Sequence, residues 1–408
     1  MSVTVPSTPV PYRRPDAGRL PPLDGLRVVD FSRLFAGPLC TMTLGDFGAD
    51  VVKVEAPAGD EARTFGPPWL GGEAMNFMAL NRNKRSVALD LKHEQAREVA
   101  KRLCAEADVV IENFRPGVAE RLGIGYDELA AANPSLIYCS VSGFGRLGPQ
   151  SDRAALDLVL QGEAGVMDRQ GGGVEPKLLV ITVADCYAAG LATQGILAAL
   201  LARARDGAGQ HLEVTLFQAL LAAQSYRIIS PATETPELPA WQDVAPYQAF
   251  RTADGWVTIA VVTDRSWQAL CSALGLEELR DEPRFATNPA RVEHQEALLA
   301  SLTPLFATYR SRELLDLLDA AGVPCGRVQR VEDLFFDEQV LANGLIVEME
   351  HPTAGKVWTL GLPVQFMGTP GVIERPAPLL GEHTDEVLGE LGYDGAAIAG
   401  LRAAGACR

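Results

Sequence analysis

The chain is short of cysteine pairs, histidine, aromatic residues and positive charge, and each shortage excludes something. Its seven cysteines are an odd, scattered set with no CxxC pair, which argues against a zinc ribbon and against a disulfide framework. They read as mostly buried thiols in a reducing cytosol, so a cytoplasmic location is expected. The five histidines show no ligand-like clustering, and no metal is expected. Lys and Arg total 36 against 52 Asp and Glu, a formal net charge of −16. That balance argues against a nucleic-acid partner and gives no attraction to an anionic membrane. An anionic ligand would need basic residues placed locally to offset the overall field. Phosphate-binding signatures are missing too. The loop Ser32-Arg33-Leu34-Phe35-Ala36-Gly37-Pro38 lacks GxGxxG spacing, and there is no Walker A sequence. The triplet Gly171-Gly172-Gly173 sits in a polar connection and reads as a flexible turn. Residues 1–23 are Pro-rich and polar without an apolar core, so no secretory leader is expected.

What is present is a globular composition, 47% hydrophobic and 22% charged. At 408 residues, two domains are the default expectation. Apolar strand-like runs at 26–31, 49–55, 86–91, 107–111 and 135–141 alternate with helical segments at 36–47, 94–105 and within 118–132. This alternation predicts an α/β fold with a Rossmann-like parallel sheet covered on both faces. Composition shifts after Leu220, and the Pro-rich stretch 225–244 reads as a linker. Residues 247–260 predict two strands around an Asp-Gly turn. Helical spacing follows at 267–273, 295–309 and 312–321, then a turn entering a strand at 322–328. The expected organisation is a tail to 23, a large domain from 24 to 224, a small α+β domain over 245–345, and a return through 346–408. That return is read as a linker followed by the C-terminal part of the large domain, with a helix near Thr384.

One carboxylate stands in the longest apolar stretch. Leu178–Leu201 is long enough to span a bilayer, but Asp185, Gln194 and several Ala and Gly favour a buried strand and helix. Asp185 falls where a β-rich run, 178–183, is expected to give way to a helix. There it can serve as N-cap, or as a carboxylate kept ionised by helix amides. The stretch alone leaves both roles open.

Six runs, in order, resemble the class III CoA-transferases, the group of formyl-CoA and carnitine CoA-transferases. They are Leu26–Glu55, Asn81–Ser86, Glu112–Gly117, Val183–Asp185, Gly322–Gly326 and Leu380–Thr384. The resemblance implies that Asp185 is the nucleophile of a CoA transfer from an acyl-CoA donor to a carboxylic acid acceptor, through aspartyl anhydride and aspartyl-CoA thioester intermediates. It implies coenzyme A contacts at Leu34, Ala36, Leu89, Lys92, Asn113, Phe114, Arg121 and Leu122. Asp157 matches an acidic residue near the nucleophile and is a possible assistant. The resemblance also implies an interlocked homodimer, small organic acids as partner substrates, and no tightly bound cofactor. Glu382 and His383 are expected to be structural, capping the last helix.

Departures qualify the match. Phe35 replaces a glutamine of formyl-CoA transferase, and the glycine-rich lid of that enzyme has no counterpart in 238–243. Ala56 replaces a phosphate-binding arginine, so charge must come from Lys92, Arg121, Arg63 or Lys84, with Arg153 also considered. Arg33, Arg63 and Arg146 are candidates for a second substrate carboxylate. Two alternatives share the fold: an α-methylacyl-CoA racemase and a non-catalytic acyl-CoA-binding relative. Racemisation needs an acid and a base on opposite faces. The racemase branch has a Gly-His-Asp run where this chain has Ala155-Leu156-Asp157, with no histidine between His93 and His211.

Overall fold

The computed structural model describes residues 6–15, 18–230, 232 and 243–408. Most of the expected linker at 225–244, and all but Asp243 of the lid region, lie outside those residues. The chain divides into two compact units, one made of 1–229 with 336–408 and the other of 230–335.

The first unit is built on six parallel strands: β1 (Arg27–Asp30), β2 (Asp50–Glu55), β3 (Lys84–Ala88), β4 (Val109–Glu112), β5 (Ile137–Ser142) and β6 (Gln210–Thr215), in spatial order β3-β2-β1-β4-β5-β6. The strands are valine-rich because both faces are covered. Val28, Val51, Val109, Ile111 and Ile137 point to one face, and Val29, Val52, Val54, Val110 and Tyr138 to the other. The first face carries α1 (Ala36–Asp46), the long helix α6 (Val183–Asp206) and α7 (Leu216–Ala223). The second carries α2 (Glu94–Ala105) and α4 (Tyr126–Ala132), with the short α3 (Val118–Arg121) in their connection, while α5 (Asp157–Glu163) buries Leu160 on the first face. Alanines at 184, 188, 189, 192 and 199 form the buried stripe of α6, and α6 packs on α1. By length and composition alone α6 could cross a bilayer; here its alanine stripe lies in the core beneath the sheet.

The second unit has a three-stranded antiparallel sheet: β7 (Tyr247–Arg251), β8 (Trp256–Ala260) and β9 (Cys325–Arg327), with β8 central. Helices α8 (Asp264–Leu274), α9 (Gln295–Phe306) and α10 (Ser311–Ala320) bury Trp267, Leu302 and Leu314 against Phe250, Val257 and Ile259.

This unit ends at 335 rather than 345, because the short helix Glu338–Ala342 groups with the first unit. The segment 345–375 is not a bare linker. It holds a hairpin, β10 (Ile346–His351) with β11 (Gly355–Leu360). Two closing helices, α11 (Thr384–Glu390) and α12 (Gly395–Ala403), then return Val387, Leu388, Ile398 and Leu401 to the sheet's second face. His383 and Glu382 do tie this segment down, since Ser86 N–H donates to His383 Nδ1 at 3.3 Å and Leu379 N–H donates to Glu382 at 2.8 Å. His383 makes no side-chain cap, however, and α11 is not the last helix.

A buried fork pins the hairpin to α1. Arg82 donates to both Asp46 oxygens, at 2.9 and 2.6 Å, and to Gly361 O at 3.2 Å. Both side chains are almost wholly buried, so removing one leaves the other charged and unpaired. Arg82→Ala is expected to lower unfolding free energy by about 3–5 kcal/mol, read as a fall in the guanidinium midpoint.

Candidate active site

In an open parallel sheet, ligands bind beyond the carboxyl ends of strands where the strand order reverses. The chain here runs outward through β1, β2 and β3, then crosses back to β4, so the reversal lies between β1 and β4. The loops at that point are 31–35 and 113–117, and they are stitched together. Asn113 accepts from Arg33 N–H at 2.8 Å and donates to Arg33 O at 2.7 Å. The Arg33 guanidinium lies over the Phe114 ring, 5.4 Å from its centre. Leu34, Ala36, Asn113 and Phe114 are thereby brought to one place.

Leu34 has φ = +67°, a left-handed conformation that a leucine adopts at a cost of about 1–2 kcal/mol. Its surroundings hold it there. Leu34 N–H donates to Asp60 at 3.1 Å, and Ser32 N–H, two residues earlier, donates to Asp30 at 2.9 Å. Lys53 Nζ donates to Ser32 O at 2.8 Å. This turn sets the direction in which α1 begins, with Ala36 as its first, buried residue.

Asp185 is not the N-cap of α6. The helix starts at Val183 after Thr182, which makes no side-chain cap, and Asp185 lies in its first turn. The expected strand over 178–183 is absent; the segment is irregular and joins the helix directly. The capping role falls to Asp157 from outside the helix. Its Oδ1 accepts from Ala184 N–H at 2.8 Å, and its Oδ2 accepts from Gln161 Nε2 at 2.6 Å. Gln161 is fully buried and also brackets Leu179, accepting its N–H at 3.0 Å and donating to its carbonyl at 3.0 Å. Asp157 and Gln161 together fix how the chain enters α6.

Asp185 itself is half-buried. Burial raises its carboxyl pKa to about 6, and the neighbouring Asp157 carboxylate adds to the rise. The backbone N–H of Ala36, at the start of α1, pulls it back down. The result is a carboxylate that is ionised at neutral pH yet poorly solvated.

The remaining expected contacts are less uniform. Lys92 and Arg121 are exposed, beyond the carboxyl ends of β3 and β4. Leu122 is half-buried against the core. Leu89 is 1% exposed and belongs to that core, facing the α2 side of the sheet, so its side chain lines no ligand path. Lys84 and Arg63 are not spare cations either. Lys84 is wholly buried against Asp30, and Arg63 grips both oxygens of Glu55 at 2.8 Å. Arg153 pairs with Glu163, Arg146 with Glu120, and Arg33 with Glu61. Among the described residues, Lys92, Arg115 and Arg121 stand at this edge without an ion-pair partner. No metal-ligating group of His, Cys, Asp and Glu occurs among the described residues.

Sequence reasoning missed Lys53, Asp60 and Gln161. The signal for Lys53 was a lysine inside Val51-Val52-Lys53-Val54, which a buried strand tolerates only with a partner.

The chain matches CoA-transferase family III over residues 23–384. It is 36% identical over 401 residues to the human protein named succinyl-CoA:glutarate CoA-transferase, covering 96% of this chain and 91% of that one. It is 35% identical to the succinyl-CoA–D-citramalate CoA-transferase of Chloroflexus aurantiacus, covering 91% and 94%. Among solved structures, a CAIB/BAIF family protein from Brucella suis superposes with a TM-score of 0.80 at 39% identity, covering 91% of this chain and 100% of that one. The chain belongs to the class III CoA-transferases, and it is an enzyme of that family.

Proposed function

We propose that this enzyme moves CoA from a small acyl-CoA to a dicarboxylic acid through covalent intermediates on Asp185. The observation that carries this reading is the setting of Asp185: half-buried in the first turn of α6, the helix that packs on α1 where it leaves the switch-point loop. Attack of the Asp185 carboxylate on the donor thioester forms an acyl-aspartyl anhydride and releases CoA thiolate. The thiolate attacks the aspartyl carbonyl, giving the aspartyl-CoA thioester and freeing the donor acid. The acceptor carboxylate attacks that thioester and expels the thiolate. The thiolate then takes the acceptor acyl group and restores the carboxylate. Four substitutions at carbonyl carbon balance without oxidation, net hydrolysis or ATP. Partial burial keeps water from the anhydride.

Relatives whose names include glutarate, citramalate, mesaconate and oxalate support a dicarboxylic acceptor. Lys92, Arg115 and Arg121 supply local positive charge for an anionic CoA on a chain of net charge −16. A homodimer and a cytoplasmic location belong to the same proposal. A panel of succinyl-CoA and acetyl-CoA against mono- and dicarboxylic acids tests it. Dicarboxylates are expected to exceed their monocarboxylate counterparts in kcat/KM by at least ~10-fold, about the worth of one good charged contact. Equal use of both classes would refute the acceptor assignment.

A further inference from the structure

Behind the switch-point loop lies a set of buried charges that no step of the reaction uses. Lys53 is fully buried and pairs with Asp60 at 3.0 Å. Lys84 pairs with Asp30, and Arg63 with Glu55, three buried cations against three buried carboxylates; Arg63 also reaches the partly exposed Glu73 at 3.5 Å. Burying six charges is costly unless every one is paired and hydrogen-bonded, and stability alone is a poor reason to keep them. Their hydrogen bonds point to another reason. Those of the Asp30–Lys84 and Lys53–Asp60 pairs converge on residues 32–41: Asp30 takes Ser32 N–H and Thr41 Oγ1–H, Lys84 donates to Pro38 O, Lys53 donates to Ser32 O, and Asp60 takes Leu34 N–H. That segment contains the left-handed Leu34 and the Ala36 amide at the start of α1.

We propose that Lys53 and Asp60 are positioning residues for the reaction: the pair holds Leu34 in its left-handed turn, so that the Ala36 N–H is presented to Asp185. Strained backbone persists only where its surroundings over-determine it. Here Asn113 clamps residue 33 from one side, and the Lys53–Asp60 pair clamps 32 and 34 from the other. Without Asp60, Leu34 N–H loses its acceptor and the turn can relax toward negative φ, swinging the start of α1. The other charged group acting on Asp185 is Asp157, from α5, which keeps its place. Losing the amide leaves burial and Asp157 unopposed, so the Asp185 midpoint rises. Less carboxylate is then ionised near neutral pH, and what is ionised is misaligned.

Truncating one member would leave the other charged and buried, so the pair is replaced as a unit. Lys53→Met with Asp60→Leu removes both charges and the acceptor, while Asp30–Lys84 and Glu55–Arg63 stay paired. Lys53→Met with Asp60→Asn removes the charges but keeps an acceptor for Leu34 N–H. The readouts are the Asp185 carboxyl midpoint, by 13C NMR of aspartate-labelled full-length protein, and kcat and KM for CoA transfer. For the Leu version the midpoint is expected to rise by about one unit. Its kcat is expected to fall ~10–100-fold at nearly unchanged KM for the acyl-CoA. The Asn version should recover most of both. If the Leu version does not fold, Asp60→Ala in the Lys53→Met background supplies the same contrast with Asn. A folded acceptor-less variant with unchanged midpoint and kcat overturns the proposal, as does an Asn version no better than it. The kinetic part rests on Asp185 as nucleophile. A midpoint that moves while kcat does not would reject that reading and leave the positioning role standing.

Discussion

Asp185→Ala is expected to lower CoA transfer by a factor on the order of 1,000 or more, the scale seen when a covalent nucleophile is removed. Acyl-CoA affinity and the melting temperature should change little. The Asp185 carboxylate is drawn by the Ala36 amide, and capping of α6 comes from Asp157 through Ala184 N–H. The helix therefore does not need Asp185 in order to start. Exchange of labelled acid into acyl-CoA measures turnover, and calorimetry with CoA measures binding. Retention of a tenth of wild-type turnover would place the chemistry elsewhere.

The second large effect is on pH. With its midpoint raised to about 6, Asp185 is ionised above that value and protonated below it. Transfer should therefore fall as pH drops through about 6, approaching a tenfold loss per unit below it. Burial is the larger cause of the rise and Asp157 the smaller. Asp157→Asn removes the charge yet can keep an oxygen on Ala184 N–H, so the acid limb should move down by about half to one unit without reaching the value of a free aspartate. At pH 5 the variant should retain more of its own maximal rate than wild type does. An acid limb that stays put would show that Asp157 serves only to hold α6.

The strands and helices of the sheet were legible because their valine and alanine patterns are local signals. The helix at 94–105 and the Asp-Gly hairpin of the smaller unit fall where periodicity and turn chemistry place them. The β-like run before Asp185 misled because Val180 and Ile181 are exposed in an irregular segment, held by Gln161 rather than by a strand partner. The hairpin at 346–360 went unread, although Val347 and Met349 alternate with Glu348 and Glu350, because its strands are short and its anchor, Arg82, is far away in sequence. A shorter separation, 21 and 26 residues, hid the support that Lys53 and Asp60 give to Ser32 and Leu34. A lysine in a strand advertises a need for a partner, but only the fold shows that the partner sits under Leu34. Lys84 and Arg63, candidate phosphate ligands by the family resemblance, are committed to Asp30 and Glu55.

The most direct measurement is chemical capture of the intermediate. Incubation with an acyl-CoA and hydroxylamine, followed by peptide mass spectrometry, should convert Asp185 to its hydroxamate. The modification should require acyl-CoA and be absent from Asp185→Asn. A hydroxamate on any other carboxylate, or full transfer activity with no modification at Asp185 under single-turnover conditions, would contradict a covalent route through this residue.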